Sequence, residues 1–283
     1  MDFSIITPSF RNGPWLKLCI ASVADQQGVS HEHIVQDAGS DDGTLEWLTD
    51  DSRVRAFVEK DSGMYDAINR GLRRAQGDLC AYLNCDEQYS PGALAAVKEF
   101  FVAHPDVDVV FGDAVVVDEG GRFIAYRKAV LPLRPHVWVC HLPVFSCATF
   151  FRRSIIERRG LFFDSRLRDV ADATWVLRVL EEDAHVAVLR RYTSAFTQTG
   201  KNMNFLPNAM REKRELRQSA PLWMRALRPL WVARHRLAKW QQGCYRQKPF
   251  QYAVYTLADP QERTTFTVTH PAWRLAINDG RSV

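Results

Sequence analysis

Residues 61–87 read DSGMYDAINRGLRRAQGDLCAYLNCDE, and this stretch decides the fold. Asp61-Ser62-Gly63 is turn chemistry. Met64–Gln76 reads as a helix, and Asp78–Glu87 as a buried strand that closes on Asn84, Asp86 and Glu87. A helix feeding at once into an all-apolar strand is half of a βαβ unit, the element of a largely parallel sheet covered on both faces. The same alternation extends outward. Residues 3–10 (FSIITPSF) form a strand ending in proline, and Pro14–Gln26 places Trp15, Leu18, Cys19 and Val23 at helical spacing. HIVQDAG (33–39) is a second strand, TLEWLTD (44–50) a helix, VRAFVEK (54–60) a strand, residues 92–103 a helix, and VDVVFGDAVVVD (107–118) one or two strands. Ligands of such sheets gather beyond the carboxyl ends of the strands. Asp37, Asp61 and Asp86 stand there.

The rest of the composition narrows the function classes. At 283 residues, 46% hydrophobic and 25% charged, with 15 Gly and 13 Pro in no period, the chain is an ordinary globular protein with room for one α/β domain and an appendage. No apolar run approaches the ~20 residues that span a bilayer, and the start MDFSIITPSF lacks a basic region before an apolar one, so neither a transmembrane helix nor a signal peptide is expected. The six cysteines lack CxxC spacing and the eight histidines lack metal-ligand spacing, which points to reduced thiols in a cytoplasmic protein. Residues 211–248 hold eleven Lys/Arg and two Glu, leaving 26 basic and 31 acidic residues elsewhere: an acidic body and a basic tail.

Several motifs in a fixed order carry a resemblance. They are Thr7-Pro8-Ser9-Phe10, Asp37 to Thr44 (DAGSDDGT), Asp61 to Gly71, Ala75-Gln76-Gly77-Asp78, and Leu83 to Glu87, followed by Phe111-Gly112-Asp113, Ala148 to Arg153 and Asp172 to Arg178. Together they resemble glycosyltransferase family 2, most closely the bacterial branch that builds surface polysaccharides such as O-antigens and colanic acid, over residues 3–200. The resemblance implies a GT-A fold, a Rossmann-like mostly parallel sheet flanked by helices. It also implies a nucleotide-sugar donor, UDP-linked, a saccharide or polyprenyl-linked glycan acceptor, and inverting displacement at the anomeric carbon. On that reading Thr7, Pro8 and Phe10 border the nucleobase and Asp37 accepts its ring N–H, the alternative for Asp37 being a turn ordered with Ser40 and Thr44. Asp61 either lines the nucleoside pocket or forms its turn. Asp86 maps onto the aspartate that holds Mn²⁺ or Mg²⁺, with Asn84 and Glu87 beside it. Asp172 maps onto the catalytic base, with Asp169 competing and first-turn helix placement as the structural alternative. Arg178 either pairs with these acids or lies on a solvated face. The chain departs from its relatives at Ser146-Cys147, where they often carry His-Gln, and at Ile68, where many have Arg. Rival readings are a nucleotidyltransferase, for which a Gly-rich phosphate loop is missing, and a silent scaffold acting through the tail.

From about residue 205 the alternation stops, and the expected boundary divides a catalytic domain, 1–210, from a basic, Trp-rich helical extension, 211–283. Between Leu222 and Trp240 a helical projection sets Trp223, Leu227, Leu230, Trp231, Leu237 and Ala238 against Arg225, Arg228, His235, Arg236 and Lys239, with a kink at Pro229. Such a helix either docks on an anionic membrane at the inner face of the cell membrane or packs its apolar stripe on the body. No nucleic-acid motif accompanies the charge. Residues 251–259 and 263–277 suggest a terminal hairpin.

Overall fold

The structure is a computed structural model that describes residues 1–200 and 207–273. The first half follows the expected alternation: β1 (Phe3–Ser9), α1 (Gly13–Ala24), β2 (His31–Asp37), α2 (Leu45–Leu48), β3 (Arg55–Val58), α3 (Met64–Arg74) and β4 (Leu79–Tyr82). A short β5 (Glu87–Tyr89), α4 (Ala93–Ala103), β6 (Val109–Val117), β7 (Phe123–Arg127), α5 (Arg134–Val139), β8 (Thr149–Arg152), α6 (Ser154–Arg159), α7 (Ala171–Glu181) and β9 (Val186–Thr197) complete the body.

The nine strands order as β3-β2-β1-β4-β8-β6-β9-β5, with β7 on β6. β1 to β4, β6 and β9 run one way, while β5, β7 and β8 run the other, so the sheet is mostly parallel in direction. Alternation along β1 serves both faces. Phe3 and Ile5 join Cys19, Leu94 and Phe101 on one side, and Ile6 joins Ile68, Leu72 and Trp175 on the other. The turn into β4 needs glycine: a Cβ on Gly77 would lie 2.4 Å from the backbone carbon of Phe3, and the Gly77 N–H donates to Ser4 Oγ at 2.8 Å.

The tail folds onto this body through α8 (Pro207–Ser219), α9 (Leu222–Ala226), α10 (Arg228–Gln241) and the antiparallel pair β10 (Phe250–Val254) and β11 (Thr264–Val268). The expected boundary at 210 thus falls inside α8. The hairpin forms where the alternating residues suggest, with 274–277 outside the described residues, and buries Tyr252, Val254 and Val268 against Val115, Val117 and Ala195 of the sheet. Tyr255 exchanges two 2.8 Å bonds with the Gln88 side chain, and its hydroxyl reaches Asp25 at 2.9 Å.

The kink expected at Pro229 is a full break. α9 ends and α10 restarts at Arg228 with proline in its first turn, where a missing N–H costs nothing. The two sides of the projection are also partly reversed. Trp231 packs beside Val139 and Met224 and His235 meets α5, whereas Leu222, Trp223, Leu227, Leu230, Leu237 and Trp240 are exposed.

Candidate active site

β1, β2, β3 and β4 all end on one edge, and the residues just past those ends line a cavity of about 810 Å³. Pro8, Ser9 and Phe10 come from β1, Ala38 and Gly39 from β2, Lys60 and Asp61 from β3, and Asn84 to Glu87 from β4, while Asp169 and Asp172 enter from the start of α7. Of the residues expected here, Pro8, Phe10, Asp61, Asn84, Asp86, Glu87 and Asp172 meet at this one opening.

Two do not line it. Thr7 is fully buried, with its hydroxyl on His33 Nε2 at 2.8 Å, because the pleat turns it into the sheet. Asp37 is also fully buried and accepts four bonds of 2.7 to 2.9 Å from the Ser9 and Ser40 hydroxyls and the Gly39 and Ser40 backbone N–H groups. Two donors on each oxygen fill the usual capacity of a carboxylate. Asp37 therefore holds the β2 turn against β1, and through it sets Ala38 and Gly39 at the cavity wall.

Asp61 combines both expected features: it faces the cavity, and its Oδ1 accepts the Gly63 N–H at 2.9 Å, with Gly63 at φ 135°. Burial raises its pKa. The Asn84–Glu87 cluster is acidic, crowded and under-bonded. Glu87 Oε2 accepts the Asn84 N–H at 2.8 Å, but Glu87 Oε1 and Asn84 Oδ1 are buried without hydrogen-bond partners. Burial raises the pKa of Asp86, and burial followed by the Asp86 charge raises that of Glu87. Orphaned oxygens beside paired carboxylates suit a hard divalent cation, which takes oxygen ligands and compensates the repulsion.

Asp172 sits in the first turn of α7, where its Oδ1 accepts the Ala173 N–H at 2.7 Å. Burial pushes its pKa up to about 6. The Tyr65 hydroxyl lies 3.4 Å from the Asp172 backbone nitrogen, and the Tyr65 ring stacks on Phe163. The segment leading into α7 is held from the tail: buried Glu212 of α8 accepts the N–H groups of Arg168, Asp169 and Val170 at 2.9 to 3.2 Å. Asn208 of α8 donates to the Asp169 carboxylate. Arg178 pairs with neither acid; it donates to the Phe162 carbonyl at 2.8 Å and holds the loop before α7. Glu212 was not readable as a site residue, since in sequence it is one acid in a basic run. Tyr65 lies inside a quoted motif, and only its fold position gives it a role. Lys60, a further cavity residue, carries no sequence signal beyond following β3.

The mostly parallel sheet with flanking helices and a ligand edge past β1 to β4 is the GT-A glycosyltransferase fold. Residues 4–160 match the family described as Glycosyl transferase family 2, and the chain belongs to that family. A PGL/p-HBAD biosynthesis glycosyltransferase of Mycobacterium bovis (strain BCG / Pasteur 1173P2) is 28% identical over 231 residues, covering 76% of this chain and 83% of that protein. The structure is similar to S. aureus TarS 1-349 in complex with UDP-GlcNAc, with a TM-score of 0.62 at 18% identity over 85% of this chain and 73% of that one. It is also similar to the mannosyltransferase PcManGT from Pyrobaculum calidifontis in complex with GDP-Man and Mn²⁺, with a TM-score of 0.53 at 17% identity over 87% and 76% of the two chains. Family membership makes the chain a glycosyltransferase and sets aside the nucleotidyltransferase and silent-scaffold readings.

Proposed function

We propose that the protein is an inverting, metal-dependent transferase that moves a sugar from a UDP-linked donor to a hydroxyl of a lipid-linked or growing surface glycan. The observation that carries this reading is one cavity bounded at one side by the under-bonded Asn84–Asp86–Glu87 cluster and at another by Asp172. The UDP-GlcNAc complex of TarS and the Mn²⁺ complex of the mannosyltransferase support the donor class and a divalent cation.

On this reading the nucleoside rests among Pro8, Phe10, Ala38, Gly39 and Asp61. Asp86 holds the cation, with Asn84 Oδ1 and Glu87 Oε1 as the nearby free oxygens. When bound, the cation neutralises charge growing on the leaving nucleoside diphosphate. Asp172 accepts the proton of the acceptor hydroxyl as that oxygen bonds to the anomeric carbon and the bond to the diphosphate breaks on the opposite face. One base suffices, because an inverting displacement needs no protein nucleophile. The exposed apolar residues of α9 and α10, flanked by Arg228, Arg234 and Arg236, support docking on an anionic membrane where a lipid-linked acceptor resides.

The test is a panel of UDP- and GDP-sugars scored by nucleoside diphosphate release, with Mn²⁺, with Mg²⁺ and with EDTA. We expect release from one UDP-sugar, abolished by EDTA and by Asp86→Asn, with the anomeric configuration of the product inverted. Full activity in EDTA, or retention of configuration, overturns the proposal.

A further inference from the structure

Away from the cavity at the strand ends, three histidines converge where α10 crosses the body. His136 lies on α5, His141 two residues beyond its end, and His235 on α10. The His136 ring lies 4.5 Å from that of His141 and 4.1 Å from that of His235, centroid to centroid, and one ring nitrogen of each lies within 4.8 Å of the others. His136 is only 1% exposed, and its Nδ1 has no hydrogen-bond partner. A buried nitrogen left without a partner asks for an explanation, such as an ion. Burial holds the three imidazoles below the usual histidine range.

We propose that His136, His141 and His235 bind one zinc-class divalent cation that ties α10 to α5. Neutral imidazole suits Zn²⁺, whereas the oxygen cluster at Asp86 suits Mn²⁺ or Mg²⁺, so the two sites select different ions. Tetrahedral zinc at ~2.0–2.1 Å from each nitrogen sets the nitrogens roughly 3.3 Å apart. Reaching that spacing takes a tilt of the His136 and His235 rings, which stack 21° apart, as well as a turn of the exposed His141 ring. His141 and His235 also line an adjoining cavity of about 690 Å³ with Arg127, Lys128, Arg236 and Lys239, and no carboxylate is among its described lining residues. Lys239 and Arg127 oppose a bare cation and favour an anionic fourth ligand, hydroxide or a phosphate oxygen. Sequence spacing hid the cluster, because its members lie at 136, 141 and 235 and the third comes from the tail.

The experiment titrates ZnCl₂ into chelator-stripped full-length protein against a chromophoric competitor, with thermal melts run in parallel. It uses the wild type, Asp86→Asn, His141→Gln and His235→Gln. We expect one equivalent of zinc and a raised Tm in the wild type and in Asp86→Asn. Each histidine variant, still folded by circular dichroism, should lose both the equivalent and the Tm rise, and MgCl₂ should raise no Tm in Asp86→Asn. A wild type that takes up no zinc, or histidine variants that retain the same equivalent, overturns the site. Because Asp86→Asn disables the donor cation, failure here is separable from failure of the glycosyltransferase reading.

Discussion

At the residue scale, the clearest lever is Asp172. Its pKa is raised from 3.8 to about 6 by burial, so on the proposed mechanism its carboxylate can take a proton only as pH rises through that value. We expect kcat/KM to climb with pH along a limb near 6 and to level above it, and Asp172→Asn to lose roughly 100-fold or more in kcat while donor binding is kept. A profile flat from pH 5 to 8, or full turnover in Asp172→Asn with loss in Asp169→Asn, moves the base elsewhere. The same shift acts on stability in the opposite sense to a salt-bridged acid. Between about 4 and 6 the folded state keeps a proton that the unfolded chain has released, so this group's contribution is complete below about 4 and fades as pH rises through 6. The position of these acids was legible in the motif order. What their oxygens bind was not: Asp37 is an aspartate closing β2 in either role, and its bonds to Ser9, Gly39 and Ser40 come from residues that only the fold brings around it.

At the scale of elements, the start of α7 depends on a carboxylate from another helix. Glu212→Ala leaves three backbone N–H groups without their acceptor, a cost of about 1–3 kcal/mol. It should lower kcat more than it alters the donor KM, with Glu212→Gln recovering part of the loss through its remaining oxygen. A lowered Tm with kcat unchanged would show that Glu212 only stabilises and does not position Asp169 and Asp172. The turn at Gly77 is stiffer still. Gly77→Ala sets a methyl against the backbone of Phe3 rather than against a yielding side chain, so destabilisation at or above the upper end of the usual ~1–3 kcal/mol for overpacking is expected in a thermal melt. A Tm equal to that of the wild type would contradict that close approach. Local pattern was enough to read β1 to β4 and the helices between them, since each shows its own period. It was not enough for Glu212, whose three donors lie more than forty residues away, or for the facing of α10, where an apolar stripe and a basic stripe give no sign of which one turns inward.

On the scale of the whole molecule, the basic tail packs on the acidic body and leaves Leu222, Trp223, Leu227, Leu230, Leu237 and Trp240 exposed among Arg228, Arg234 and Arg236. Among the described residues no helix is long and apolar enough to cross a membrane. Vesicles with anionic lipid should bind the protein at low salt and release it as salt screens the charges. Replacing Leu230, Leu237 and Trp240 by Ser should abolish binding, and Arg228→Gln with Arg236→Gln should weaken it by about 1 kcal/mol per charge, close to fivefold each. Transfer to a soluble acceptor should be unchanged in both. No co-sedimentation at low salt sinks the membrane reading. Trp231 belongs to the packing side of the same helix: its indole N–H donates to the Met224 carbonyl at 3.0 Å, so Trp231→Ala should lower the Tm whether or not lipid is present.

The reach of Glu212 across to α7 also bears on how this enzyme can be taken apart. A cut at residue 210, where composition changes, removes the acceptor that organises the approach to α7 and exposes the sheet surface under β10 and β11. The tail is therefore no interchangeable cassette. Grafting another relative's C-terminal extension onto this body should yield an idle enzyme unless the graft brings a carboxylate back to the same three amides.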